Sequence, residues 1–133
     1  MRPLLTLLAL LLLAPAALAQ DDMQTRFMMM NQHICDDMAG AMELSETLFA
    51  PVLAEMEAEG VIHDWGFLTH AWGDEWNYNW YMVTDDHASF LEAWSDMLER
   101  VNARDADWFS RFDPMCQEHK DNLYTLHSMD SME

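Results

Sequence analysis

The chain holds 133 residues, 24 of them acidic and only 6 Lys or Arg, for a formal net charge of −18. A surface this acidic repels nucleic acid and anionic membranes, so neither is expected as a partner. The length suits one domain with one modest core.

The N-terminus reads as a leader. Met1-Arg2 supplies a positive start, Leu4 to Leu13 is an almost unbroken apolar run, and Ala17-Leu18-Ala19 is a small-residue cleavage pattern before Gln20. The run is too short for a membrane span and reads as a secretory signal peptide. No cysteine stands where a lipoprotein anchor needs one. Residues 1–19 are thus expected to be removed, and residues 20–133 to form a single exported domain, periplasmic or secreted. Arg2 leaves with the leader, so the mature domain carries 5 basic against 24 acidic residues, a net −19.

"RFMMMNQHIC", residues 26–35, has apolar side chains on both faces and predicts a buried strand. Asp36-Asp37 opens a helix with acidic residues at its positive end. Along it Met38, Met42, Ser45, Leu48, Val52 and Met56 recur at three- and four-residue steps, the mark of an amphipathic helix. Pro51 removes one backbone bond and predicts a bend, and Gly60 predicts a C-terminal cap. Two strands follow, 61–72 and 75–84, turned at Gly73-Asp74. Thr84-Asp85-Asp86 caps a second helix from His87 to about Asn102, with Phe90, Trp94, Met97, Leu98 and Val101 as its apolar stripe. Residues 105–120 read as a broken helix interrupted at Pro114, and "NLYTLHSM", residues 122–129, as the last strand.

The succession β-α-β-β-α-β, with an extra short helix before the last strand, is the ferredoxin-like split βαβ motif of an α+β fold. Its sheet sets the first and last strands side by side and antiparallel. The end of one then lies near the start of the other. Cys35 and Cys116 occupy those positions, and two cysteines in an exported chain read first as one disulfide.

The segments "LFAPVLAEMEAEG", "VIHDWGFLTHAWGDEWNYNWYMVTDD" and "HKDNLYTL" resemble the dimeric α/β-barrel superfamily, most closely its secreted members. The shared features are a proline within the first helix, a Gly before a Trp-bearing strand, a "GD" turn, and an Asn/Tyr-bearing strand entering the second helix. The resemblance implies a homodimer whose two sheets pack face to face as a barrel able to hold a small ligand. Members range from cofactor-independent monooxygenases and isomerases to haem enzymes, and fold alone does not select among them.

With two or four loop residues, the hairpin puts Trp65, Phe67, Trp76, Tyr78, Trp80 and Met82 on one face, and Asp64, Leu68, His70, Asn77, Asn79 and Tyr81 on the other. A three-residue loop would mix the sets. The first set suits a core beneath helices. The second fits a ligand pocket with a few polar anchors, or equally a hydrated dimer interface. In a pocket, His70 has the unperturbed pKa for proton transfer near neutrality. Asn77 or Asn79 could hold an enolate or peroxide oxygen, with Tyr81 donating to it. The plainer alternative makes His70 a satisfied polar residue.

His33-x-Cys35 with Cys116-x-x-His119, plus His127, could approach a two-Cys, two-His metal site. Methionines 28–30 beside His33 suit soft-ligand copper chemistry. The spacing matches neither a zinc ribbon nor a blue-copper loop, and an oxidising compartment favours the disulfide. Most methionines fall at core positions as filler. No metal or other cofactor is expected, and nothing points to haem. The expected function is therefore an exported small-ligand-binding barrel domain with a His/Asn/Tyr-lined pocket. The alternatives are a cofactor-independent monooxygenase or isomerase acting on an aromatic or polyketide-like substrate, and a copper or zinc binding protein.

Overall fold

The structure, a computed structural model, describes residues 25–73 and 75–127. The expected leader, Asp74 of the expected turn, and Ser128 and Met129 of the expected last strand lie outside these residues. Strand β1 (Arg26–Cys35) is central and pairs antiparallel with two neighbours, so from Phe27 to His33 it has a partner strand on each side. Its odd residues from Met29 to Cys35 are buried, and its even ones are half-buried. The odd side chains face the helices, and the even ones face the open side of the sheet.

Asp37 caps helix α1 (Met38–Leu44), accepting from the Gly40 N–H at 3.0 Å. The helix runs through Ser45–Phe49 into α2 (Ala50–Ala58). Pro51 offers no N–H to the carbonyl four residues back, and its ring crowds that carbonyl. The turn before it is π-helical, with the Ala50 N–H donating to the Ser45 carbonyl. At the other end Gly60 takes φ +74°, the Gly60 N–H bonds to Glu57, and the Val61 N–H bonds to Met56. That pair of bonds is the left-handed glycine cap expected there.

Strands β2 (Asp64–Thr69) and β3 (Tyr78–Thr84) are shorter than the sequence suggests. The reason lies in residues 70–77. The Asn77 amide accepts from the Cys35 N–H and donates to the Cys35 carbonyl, both at 2.8 Å. Asn77 is therefore engaged with β1, and the His70 N–H bonds back to its carbonyl at 3.0 Å. The register pairs Trp65 with Met82, Phe67 with Trp80 and Thr69 with Tyr78, the parity of an even-length loop.

Helix α3 (His87–Arg104) starts on Asp86, whose carboxylate accepts from the Ser89 N–H at 2.8 Å. That bond holds the Asp86 carboxyl below its usual range. Arg100 of α3 reaches Glu59 beyond α2, at 2.6 Å, and Asp96 one turn back, at 2.9 Å. Helix α4 (Trp108–Phe112) and a 3₁₀ turn at Asp113–Met115 lead into β4 (Cys116–Leu126). Residues 116–120 are thus strand, where the sequence suggested broken helix. "CQEHK" carries no apolar period to read; its conformation comes from the ladder with β1, where His119 faces His33 and Lys120 faces Gln32.

The sheet order is β2-β3-β1-β4, all antiparallel, which is the ferredoxin-like α+β fold. The helices pack on one face over Met29, Leu53, Met56, Met82, Met97 and Val101, with methionine filling much of the core. Cys35 and Cys116 form a disulfide across the β1–β4 end, closing a sequence separation of 81 residues. Replacing both with Ala is expected to cost about 4 kcal/mol in the chain-entropy picture. Urea unfolding of the oxidised protein and the double variant measures it. A difference below about 1 kcal/mol would mean the reduced chain is already constrained some other way.

Candidate functional site

A cavity of about 230 Å³ lies between the helices and the helix-facing side of the sheet. Strands β1, β3 and β4 form its floor. The π-helical turn, α3 and α4 supply aromatic walls: Phe49, Trp94, Trp108 and Phe112. Trp80 and Trp94 stack with ring centroids 5.6 Å apart and planes 13° from parallel. Trp108 meets Phe49 edge to face at 5.1 Å.

The floor is polar, and its centre is Asn31. The Trp80 indole N–H donates to Asn31 Oδ1 at 2.6 Å. An indole nitrogen can only donate, so this atom is the amide oxygen. His33 Nε2 bonds to the same oxygen and must therefore carry the proton, leaving Nδ1 with a lone pair. Asn31 Nδ2 in turn donates to Asp121. Nearby, the Ser45 hydroxyl gives its proton to the Ala41 carbonyl at 2.7 Å, so the Tyr78 hydroxyl donates to Ser45. Burial pushes Tyr78 up to about 12, so its phenol stays neutral.

His33 is 7% exposed, and its ring sits 5.7 Å from His119 and 5.1 Å from Phe112. Burial, and next the neighbouring His119, push His33 down to about 4, while Asp121 opposes the shift. His33 is neutral at pH 7.

The hairpin residues singled out in the sequence lie elsewhere. Asp64, Leu68, Asn79 and Tyr81 share the parity of the open face, away from the helices. Leu68 is 44% exposed. The Tyr81 hydroxyl donates to Asp64 at 3.2 Å, and burial, then the Asp64 charge, raise its pKa. The Asn79 side-chain N–H donates to the Trp76 carbonyl at 3.1 Å, while its buried Oδ1 has no hydrogen-bond partner among the described residues. His70 is half-buried at the start of the loop, and Asn77 is bound to Cys35. None of the six lines the cavity. Of the residues weighed as metal ligands, His33 and His119 do meet there, but both thiols are taken by the disulfide. Asn31 and Asp121 drew no notice in the sequence. One signal was available: residues 31 and 33 are two polar side chains at the parity of buried Met29 and Cys35.

The lowered His33 pKa makes stability depend on pH. An unfolded His33 takes its proton near pH 6.5, while the folded one resists until about pH 4. Between those values the unfolded chain binds more protons, so stability falls as pH drops through the window, and the His33 contribution to that fall is complete below about pH 4. The loss should be on the order of 3 kcal/mol. Denaturant unfolding of wild type and His33→Gln from pH 7 to 4 checks it. A difference between the two that stays level over this window would show that His33 gains its proton without penalty.

No protein-family model matches the sequence, and no curated protein matches it either. Solved structures do match in shape. A dimeric ferredoxin-like protein from an uncultured marine organism superposes with a TM-score of 0.63 at 4% identity, over 83% of this chain and 94% of its own. A NIPSNAP family protein of unknown function from Agrobacterium tumefaciens gives 0.62 at 4% identity, over 84% and 96%. SnoaB, a cofactor-independent oxygenase from Streptomyces nogalater, gives 0.51 at 16% identity, over 78% and 95%. At these identities the likeness is one of fold, and the fold is the ferredoxin-like one expected from the order of elements.

Proposed function

We propose that this protein is an exported domain that binds a small, flat, largely apolar molecule in the helix-side cavity. The observation that carries the reading is an aromatic-walled space of about 230 Å³ over a buried, mutually bonded polar floor. Apolar walls with a few fixed polar atoms are the usual make-up of a small-molecule site. Export is favoured by the leader-like N-terminus and by the disulfide, which persists in oxidising compartments.

A homodimer through the open sheet face belongs to the same reading. Met28, Met30 and Ile34 are half-buried there, Leu68 and Tyr124 are exposed, and the Asn79 oxygen lacks a donor. A second copy would cover the apolar side chains. Structures of similar fold are described as dimeric. Sedimentation at micromolar concentration should give a dimer, and Ile34→Glu should split it. A wild-type monomer at that concentration would remove the interface from the proposal.

A second reading has one observation in its favour. His33 is neutral, oriented by Asn31, and keeps a lone pair on Nδ1 free to accept a proton, though its lowered pKa makes it a weak base. One structure of similar fold is a cofactor-independent oxygenase. A single screen addresses both readings: aromatic compounds are titrated by indole fluorescence while oxygen uptake is followed. Trp108→Ala should weaken binding about tenfold, the scale of one aromatic contact. Binding unchanged by that substitution would move the site out of the cavity. If turnover occurs, His33→Gln should lower it roughly 10²–10⁴-fold. Loss in His70→Gln, with His33→Gln unaffected, would instead return the chemistry to the hairpin that holds His70.

A further inference from the structure

The charge of the ligand can be inferred from which hydrogen-bonding groups the cavity has left over. The donors of its floor and walls are largely spent inside the protein. His33 Nε2–H and the Trp80 N–H both go to Asn31, the Tyr78 hydroxyl goes to Ser45, and the Trp108 N–H goes to Asn102 at 2.9 Å. The Trp94 N–H and a ring N–H of His119, which also lines the cavity, stand outside this set of bonds. What remains is mostly accepting: the His33 Nδ1 lone pair, the Tyr78 oxygen and the carboxylates of the rim. Among the described residues no Lys or Arg lines the cavity, whereas Asp113, Glu118 and Asp121 do, all three exposed at its edge. An anion entering here would meet like charge and few donors. A cation would meet carboxylates at the mouth and then the faces of stacked indoles, the aromatic surface that attracts positive charge best. The acidity of the whole chain adds a field of the same sign, focused into a low-dielectric cleft.

We propose that the helix-side cavity selects an organic cation, a flat aromatic or quaternary amine, with its positive centre between the indole faces and the acidic rim. The inference rests on the cavity being a binding site, and the experiment separates the two. Phenyltrimethylammonium and tert-butylbenzene have the same shape and differ by one charge, and benzenesulfonate supplies the opposite sign. All three are titrated into the full mature protein, with indole fluorescence as the readout. The ammonium should bind at least about tenfold tighter than its neutral twin at low salt, the sulfonate should not compete, and the advantage should shrink as salt rises. Asp113→Asn with Glu118→Gln should reduce ammonium affinity and leave tert-butylbenzene unchanged. If the double variant fails to fold, as judged by circular dichroism, the wild-type pair and its salt dependence decide alone. Equal affinity for the ammonium and its neutral twin would overturn charge selection while leaving the cavity as a binding site. Binding of neither compound would overturn both.

Discussion

The central strand β1 carries two antiparallel ladders at once, and that obliges its side chains to alternate strictly between two environments. Met29, Asn31, His33 and Cys35 go to the helix side, and Met28, Met30, Gln32 and Ile34 go to the open side. A slip of one residue would send Asn31 and His33 to the open face and bring Gln32 with Met30 or Ile34 beneath the cavity instead. The disulfide and the Asn77 amide both fasten the end of this strand, one to β4 and one to the loop before β3. They hold in register the strand on which the rest is built.

Burying an amide and an imidazole beside each other is costly unless their bonds are made. Here Asn31 answers three neighbours: its oxygen serves Trp80 and His33, and its nitrogen serves Asp121. Each partner comes from a different strand, so the amide also ties β3 and β4 to β1 by side chains as well as by backbone. The same bonds set the chemistry, because they consume donors. A floor whose N–H groups point inward to one another offers lone pairs to whatever enters above it.

The two faces of the sheet do different work, although both are partly polar. On the helix side the polar atoms are mutually satisfied under aromatic walls. On the open side Asn79 keeps an unpaired oxygen amid half-buried apolar side chains. The first pattern fits a preformed site, and the second fits a surface completed by another molecule. Two solved structures of this fold are described as dimeric.

Local rules were enough to read much of the chain from its sequence. Asp86 and Gly60 mark helix ends because a carboxylate before a helix and a glycine after one meet backbone needs that depend on neighbours alone. The hairpin parity followed from alternation, and the cysteine pairing agreed with the strand order that the element succession implied. The start of β4 was not legible, because an edge strand of polar residues has no period of its own and takes its form from β1. Nor was the location of the cavity. Asn31 and Asp121 stand 90 positions apart, and the aromatic walls come from three separate helical segments. The sequence by itself determined the order of the elements and the facing of the hairpin side chains, since these depend on residues a few positions apart. Tertiary packing alone decided which face encloses space, because that depends on how far the helices stand off the sheet.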